Sequence, residues 1–296
     1  MNNIVCIREV GLRDGLQLIR SQLATSTKAE WISQQVKSGF CEMEVTSFVP
    51  AHILPQFFDA TEVLSMASCL DGLCPSVLVP NLRGGKLALG AGAKKINFVI
   101  SVSESHNQAN VRCTTEKSFQ MLEELILESK QEQNVSVTGA LSTSFGCSIE
   151  GDIKQHKVVR FAERMASLGV QEINLADTVG YASPLSVKNI FADLQSAVGE
   201  IPLAAHFHDT RGLGLANIFA AFEVGITRFD SCLGGLGGCP FAPGASGNVN
   251  TEDTVGMFHS MGIDTGVDIE KLIEVRRLLE TWLPNEKVGG NLIKTF

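Results

Sequence analysis

Short apolar runs alternate with longer amphipathic stretches along almost the whole of this 296-residue chain. The short runs have the length and composition of buried strands, and the longer stretches repeat apolar residues at the spacing of one helix face. The predicted strands are Ile4–Val10, Glu42–Ser47, Ser76–Val79, Lys95–Ser101, Ser136–Leu141, Glu172–Leu175, Leu203–His206 and Arg228–Asp230. Helices predicted between them include Lys28–Lys37, Thr115–Glu132, Ile153–Leu168 and Leu185–Val198.

Eight strand–helix units in one chain of this length indicate an α/β fold, the (β/α)8 TIM barrel. A doubly wound open sheet is the structural alternative, but no glycine-rich dinucleotide loop follows the first strand. No low-complexity linker interrupts the pattern. We therefore expect a single catalytic domain over residues 1–296, with additional C-terminal helices in a tail from about 251 to 296.

The amino-acid composition limits which binding partners and which cellular compartment are expected. The net charge is −8 and no lysine or arginine cluster stands out, which argues against a nucleic-acid partner or an anionic membrane surface. No apolar run has the length of a bilayer-spanning helix, and the first residues resemble neither a signal peptide nor a transit peptide. Eight cysteines occur without a CxxC pair, so reduced thiols in a cytoplasmic protein are expected.

The candidate chemistry centres on His206-Phe207-His208 at the end of the seventh predicted strand. Because side chains alternate across a strand, residues two apart point the same way, and both imidazoles can bind one divalent metal. The other histidines, at positions 52, 106, 156 and 259, lack such spacing and are expected to be surface or structural residues.

Polar residues also follow other predicted strands, on the face where such barrels carry their chemistry. Arg13-Asp14 follows the first strand, where Asp14 offers an oxygen ligand and Arg13 a fixed cation. Glu44 lies in the second strand and needs a partner such as Arg13 if it points inward. The remaining polar positions at strand ends are Ser47, Ser142, Asp177, Thr178 and Asp230.

A loop with five glycines and two prolines, residues 234–244, follows the eighth strand. Its Cys239 would be accessible over the barrel mouth, as a nucleophile or a general acid/base. An incidental thiol in a flexible loop is the alternative. Shortly after, Asn248 offers an amide oxygen that can complete a metal shell.

Several of these segments together resemble the 3-hydroxy-3-methylglutaryl-CoA lyase family. The matching segments are RDGLQ, EVTSFV, ADTVG, HFHDT, GGLGGCPFAPGASGN and TEDTVGMFHSMGIDTGVD. The resemblance runs through nearly the whole chain, and the glycine-rich loop with Cys239 is its most specific part. It implies retro-Claisen cleavage of 3-hydroxy-3-methylglutaryl-CoA to acetyl-CoA and acetoacetate, in leucine degradation and ketone-body formation, by a homodimer.

The resemblance also implies roles for single residues. Asp14, His206, His208 and Asn248 would hold Mg²⁺ or Mn²⁺. Arg13 would stabilise the enolate that forms on the thioester, and Cys239 would be the acid/base of the loop. Glu44 and Asp177 would complete the catalytic site, with Asp177 moving the hydroxyl proton, and Ser47, Ser142, Thr178 and Arg211 would contact the substrate.

One departure from the family leaves the acyl group open. Arg211 directly follows HFHDT, where lyases of this family carry tyrosine, so a related thioester such as citramalyl-CoA, which yields pyruvate, is the first alternative substrate. A metal-dependent hydrolase is a second alternative, because paired histidines on a barrel strand also serve zinc-activated water. A non-catalytic acyl-CoA or metal sensor is the third.

Overall fold

The computed structural model describes residues 4–237 and 247–296. Eight parallel strands close into a barrel in chain order, and the last strand pairs with the first, from Cys6 beside Arg228 to Glu9 beside Ser231. The predicted (β/α)8 barrel is therefore confirmed. The strands are β1 Cys6–Glu9, β2 Glu42–Ser47, β3 Cys74–Val79, β4 Lys95–Ser101, β5 Ser136–Ser142, β6 Ile173–Asp177, β7 Leu203–Phe207 and β8 Arg228–Ser231.

The helices surround the barrel and cover its outer face. They are α1 Thr25–Lys37, α2 Ala60–Ser68, α3 Leu82–Gly90, α4 Glu104–Val111, α5 Thr115–Ser129, α6 Gln155–Leu168, α7 Pro184–Val198, α8 Gly214–Glu223, α9 Thr251–Ser260 and α10 Ile269–Trp282. In the predicted C-terminal segment, α10 returns to the start of the chain. There Trp282 lies against the fully buried Trp31 of α1, with ring centroids 6.1 Å apart.

The first strand is shorter than predicted, and the reason lies in the residues that follow it. A π-helical turn, Gly11–Gly15, begins directly after Val10. The backbone N–H groups of Arg13 and Asp14 both donate to the carbonyl of Val10, at 3.1 and 2.7 Å. The chain therefore leaves the sheet early and places Arg13 and Asp14 at the carboxyl end of the barrel.

The barrel interior is polar, whereas such barrels are usually filled by bulky branched residues. Ion pairs link several strands at the N-terminal half of the barrel, for example the buried Lys95 to Glu172 at 3.4 Å and the half-buried Arg228 to Glu172 at 2.8 Å. Three cations and three carboxylates take part, so their charges cancel, as buried charges require. The six residues are Arg8, Lys95, Arg228, Glu42, Glu172 and Asp230.

Between residues 4 and 237 and from 247 onward, none of the helices combines the length and the apolar character that a membrane crossing demands.

Candidate metal centre and cavity

A cavity of about 490 Å³ opens at the carboxyl end of the barrel. Its floor is polar and is built by residues from seven of the eight strands or the turns after them. These floor residues are Arg13, Asp14, Glu44, Asn97, Ser142, Asn174, Thr178, His206, His208 and Asp230. One wall is apolar and consists of Val49, Pro50, Ile53, Leu54, Leu78 and Pro80. A ligand that fits this cavity has a polar reacting end and a less polar body.

Asp14, His206 and His208 form a group with metal-ligand geometry on the cavity floor. One ligand atom of each residue lies within 4.8 Å of the others. The Nε2 atoms of the two histidines are 3.2 Å apart, and Oδ2 of Asp14 is 3.8 Å from Nε2 of His206 and 3.5 Å from Nε2 of His208. Both histidines are buried. The spacing of the sequence pair thus brings both imidazoles to one side of β7, as predicted.

Asn248 reaches the same place through a bridge between two segments. The backbone of Asn248 pairs with that of His208, and Val249 N–H donates to the Phe207 carbonyl at 3.1 Å. The amide group of Asn248 donates to Oδ2 of Asp14 at 2.6 Å. A Cβ on Gly237, whose φ is +112°, would lie 2.7 Å from this amide nitrogen, so only glycine fits there.

The four side chains suit a hard divalent cation. Oδ1 of Asn248 is buried and has no hydrogen-bond partner in the described part of the chain. Two imidazole nitrogens face one another beside a carboxylate, an arrangement that a shared cation satisfies. Two nitrogen and two oxygen ligands suit a six-coordinate Mg²⁺ or Mn²⁺. Burial opposes the charged form of Asp14, but Arg13 and the histidines hold its pKa well below the usual range.

Asp230 orients His206 from the side away from Asp14. Its Oδ2 lies 3.2 Å from Nδ1 of His206 and accepts a hydrogen bond from Asn174 at 2.7 Å, and its Oδ1 accepts one from Arg8 at 2.6 Å. Although burial favours the protonated form, Arg8 and His206 lower the pKa of Asp230. An ionised carboxylate behind a ligating histidine fixes the tautomer that leaves Nε2 free for a metal. The ion network of the barrel therefore supports the candidate metal site.

We expect Asp230→Asn to weaken Mn²⁺ binding by about 10- to 100-fold, because the amide holds the His206 imidazole less strongly than a carboxylate does. Competition against a fluorescent chelator measures this change in Kd. Asp152→Asn, which removes an exposed carboxylate paired with Lys154, is the matched control and should bind Mn²⁺ normally. Equal affinity in the two variants would contradict the role of Asp230.

Arg13 is the cation of the cavity floor, and two carboxylates hold it. Its Nε donates to Glu44 and its terminal nitrogen to Asp14. The other oxygen of Glu44 accepts a hydrogen bond from the Asn97 amide at 2.6 Å. Burial opposes the charged form, but Asp14 and Glu44 outweigh it and raise the pKa of Arg13. The inward Glu44 and its expected partner are thus found together.

Two residues predicted to contact substrate border the cavity. Ser142 lies at the end of β5, and Thr178 follows β6, where its hydroxyl accepts a hydrogen bond from Thr143 N–H at 2.8 Å. Their side chains lie on the β4–β6 side of the floor.

The other three predicted residues lie outside the lining of this cavity as far as the described chain shows. Asp177 is buried, its oxygens accept from the N–H groups of Tyr181 and Ala182, and burial raises its pKa. The hydroxyl of Ser47 donates to the Leu78 carbonyl at 3.1 Å. Arg211 is exposed and stacks on the Tyr181 ring, 4.2 Å from its centroid. Cys239, the predicted acid/base, lies outside the described residues.

Sequence reasoning missed one histidine of the cavity. His106, expected to be a surface or structural residue, is buried and lines the cavity from α4. The available signal was its place shortly after the end of a predicted strand, on the face where barrel chemistry lies.

Comparison with known proteins places this geometry in a family. The family model described as HMGL-like matches residues 4–279. A hydroxymethylglutaryl-CoA lyase of Bacillus subtilis is 40% identical over 288 residues, 97% of this chain and 94% of the bacterial protein. The cytoplasmic 3-hydroxy-3-methylglutaryl-CoA lyase of Rattus norvegicus is 44% identical over 273 residues, 91% of this chain and 78% of the rat protein.

A solved structure agrees with these relatives. An HMG-CoA lyase from Acinetobacter baumannii, in complex with coenzyme A and 3-methylmalate, superposes with a TM-score of 0.94 at 40% identity. The match covers 99% of this chain and 95% of that one. The barrel and the arrangement of its strands are therefore shared along the full length.

Proposed function

The chain belongs to the HMGL-like family, and on that basis we propose that it cleaves 3-hydroxy-3-methylglutaryl-CoA to acetyl-CoA and acetoacetate. It is a carbon–carbon lyase on a (β/α)8 barrel. The observation that carries the proposal is the pairing, on one cavity floor, of the Asp14–His206–His208 group with the guanidinium of Arg13. The matched relatives are lyases, which argues against a metal-dependent hydrolase and a non-catalytic sensor.

In our proposal Asp14, His206, His208 and Asn248 hold the metal, which we take to be Mg²⁺ or Mn²⁺. Bound there, it would lower the pKa of the C3 hydroxyl and orient the substrate. We keep Asp177 as the acceptor of the hydroxyl proton, and because its carboxylate lies outside the cavity lining, the proton would reach it through a water molecule. Breaking the C2–C3 bond then leaves a ketone at C3 and moves the electron pair onto the thioester.

Arg13 would meet the charge that develops on the thioester oxygen. Because Glu44 and Asp14 already hold its guanidinium, no reorganisation is needed as that charge appears. The apolar wall around Ile53 and Leu54 suits the body of the thioester and excludes water from the reacting end. The enolate carbon finally takes a proton and becomes the methyl group of acetyl-CoA.

For that last proton we propose the thiol of Cys239. We expect Cys239→Ser to lower kcat by about 100-fold or more, because a hydroxyl is a far weaker acid than a thiol. Metal content and affinity for the thioester should stay unchanged, since the sulfur is not proposed as a ligand. Steady-state kinetics and metal analysis measure both, with Cys69→Ser, at an exposed thiol, as the control. A normal kcat in Cys239→Ser would remove the thiol from the mechanism.

The experiment that tests the proposed function is acetyl-CoA release with Mg²⁺ or Mn²⁺, with 3-hydroxy-3-methylglutaryl-CoA and citramalyl-CoA offered separately. We expect cleavage of the first, because Arg211 lies outside the cavity lining and stacks on Tyr181 instead. Preference for citramalyl-CoA would overturn the substrate assignment and make Arg211 the leading specificity residue. Cleavage of neither thioester by metal-loaded protein would overturn the proposed reaction.

Four further expectations stay predictions. The bound coenzyme A in the A. baumannii lyase supports an acyl-CoA substrate here, whereas the homodimer is untested. Cytoplasmic location also stays open, because relatives are named both cytoplasmic and mitochondrial. The place in leucine degradation and ketone-body formation follows only if the substrate is confirmed.

A further inference from the structure

A chain of three buried polar side chains joins two residues of the cavity lining, Ser142 and His106, through Ser101. The hydroxyl of Ser142, which lines the cavity, lies 2.7 Å from that of Ser101 at the end of β4. The Ser101 hydroxyl in turn lies 2.7 Å from Nδ1 of His106 in α4. All three side chains are buried, and none belongs to the metal group or to the Arg13 cluster. The chain is therefore a separate polar feature of the same cavity.

The surrounding backbone fixes this chain in place. Ser101 N–H donates to the Asn107 side chain at 3.0 Å, and the Ser103 hydroxyl caps α4 by accepting from His106 N–H at 3.1 Å. Thr143, directly after Ser142, has a φ of +57°, which is costly for a β-branched residue. That conformation lets Thr143 N–H reach the Thr178 hydroxyl. Backbone strain of this kind persists only where the surrounding structure holds the residue in place, and it is most common at functional sites.

We propose that Ser101 and His106 are positioning residues whose hydrogen-bond chain makes the Ser142 hydroxyl a donor to a negatively charged oxygen of the acyl group. Nδ1–H of His106 donates to Ser101, Ser101 donates to Ser142, and Ser142 donates into the cavity. The ligand in question rests on the proposed function. Its oxygen is either the distal carboxylate of the acyl group or the thioester oxygen as it becomes an enolate.

The direction of the chain follows from the charges of the cavity floor. Asp14, Glu44 and Asp230 already supply acceptors there, so a further acceptor at Ser142 would repel an anionic acyl group. Donors aligned in series polarise one another and bind an anionic oxygen more strongly than a single hydroxyl does. Burial lowers the pKa of His106, which favours the neutral ring. A neutral ring that donates through Nδ1 must carry its proton on that atom.

The tautomer of His106 tests this direction without any need for activity. The metal-loaded protein, labelled with ¹⁵N at its six histidines, gives long-range ¹H–¹⁵N correlations, and His106→Phe identifies the signal. We expect a neutral ring with the proton on Nδ1. A proton on Nε2, or a doubly protonated ring, would overturn the proposal even if the enzyme cleaves its substrate.

Kinetics with 3-hydroxy-3-methylglutaryl-CoA tests the positioning role. We expect Ser101→Ala, His106→Phe and Ser142→Ala each to lower kcat/KM by about three- to tenfold, the effect of one hydrogen bond. The double variant Ser101→Ala/His106→Phe should be no worse than either single one, because both remove the same chain. His106→Asn, whose amide nitrogen lies near the position of Nδ1, should restore most of the loss.

The two possible oxygens separate in these kinetics. A rise in KM with normal kcat assigns the contact to the distal carboxylate, and a fall in kcat assigns it to the enolate. Additive losses in the double variant, or His106→Phe at wild-type kcat/KM while Ser142→Ala is impaired, would overturn the positioning role. A wild-type enzyme that does not cleave this thioester would instead refute the proposed function, and the tautomer measurement would still decide the direction of the chain.

Discussion

Replacing His208 with alanine is expected to abolish stoichiometric metal binding and to lower kcat by about 1000-fold or more. A bound divalent ion supplies several kcal/mol of charge stabilisation, and each 1.36 kcal/mol corresponds to a factor of ten in rate. Nε2 of His208 lies 3.5 Å from Oδ2 of Asp14 and 3.2 Å from Nε2 of His206. The substitution therefore removes one of the proposed metal ligands. Metal analysis of the purified protein and acetyl-CoA release measure the two effects.

The matched control is His156→Ala, which removes an exposed histidine at the start of α6. It should keep full metal content and normal kcat. Because His208 is buried, thermal unfolding of both variants must accompany the assays, and His208→Gln offers a less disruptive change. Stoichiometric Mn²⁺ in a folded His208→Ala protein would refute the ligand assignment.

The barrel and the placement of the two histidines on one side of a strand could be predicted from the sequence because both depend on local spacing. Strand and helix periods repeat along the chain, and the two histidines lie two residues apart in one strand. Glu44 could be expected to need a cation, because its alternation with apolar residues turns it inward. The position of Asp14 could not be predicted from local spacing alone. It depends on a π-helical turn that the sequence of Gly11–Gly15 does not predict.

The supporting residues could not be predicted, because their contacts join distant parts of the chain. The sequence predicted Asp230 at the end of a strand, but it could not predict the hydrogen bond from Arg8, which lies 222 residues away. Glu9 was predicted only as a strand residue. Its carboxylate accepts from Gly11 N–H at 2.7 Å and Leu233 N–H at 3.0 Å, and burial raises its pKa to about 7. It thereby ties the turn that carries Asp14 to the start of the glycine-rich loop.

The positions of His106 and Arg211 could not be predicted because they depend on the path of the chain after β4 and β7, which no residue spacing indicates. His106 has no partner at a recognisable spacing, and only the return of α4 over the barrel mouth buries it beside Ser101. Arg211 departs from the family pattern directly after the histidine motif. Although Arg211 is next to this motif in the sequence, its side chain does not line the cavity. The chain turns outward after Asp209, and the guanidinium stacks on Tyr181.

Arg13→Lys is the second change with a large expected effect. Lysine keeps the charge but lacks the planar fork that donates to Glu44 and Asp14 at once. We expect kcat to fall by about 100- to 1000-fold, the loss that follows removal of one preorganised donor from a developing oxyanion. Metal content should stay normal, because the ligand atoms remain, and steady-state kinetics with metal analysis separates the two. Arg20→Lys, at an exposed position on the same segment, is the control.

Glu44 allows a separate test of the role of Arg13, because its carboxylate contacts Arg13 and not the proposed metal ligands. If Glu44 acts by holding the guanidinium, Glu44→Gln should lower kcat without changing metal content. The double variant Arg13→Lys/Glu44→Gln should then be little worse than Arg13→Lys alone, since residues that act as a unit are not additive. Fully additive losses would mean that Glu44 contacts the substrate by itself, and loss of metal in Arg13→Lys would mean that the guanidinium acts through Asp14 and not on the thioester.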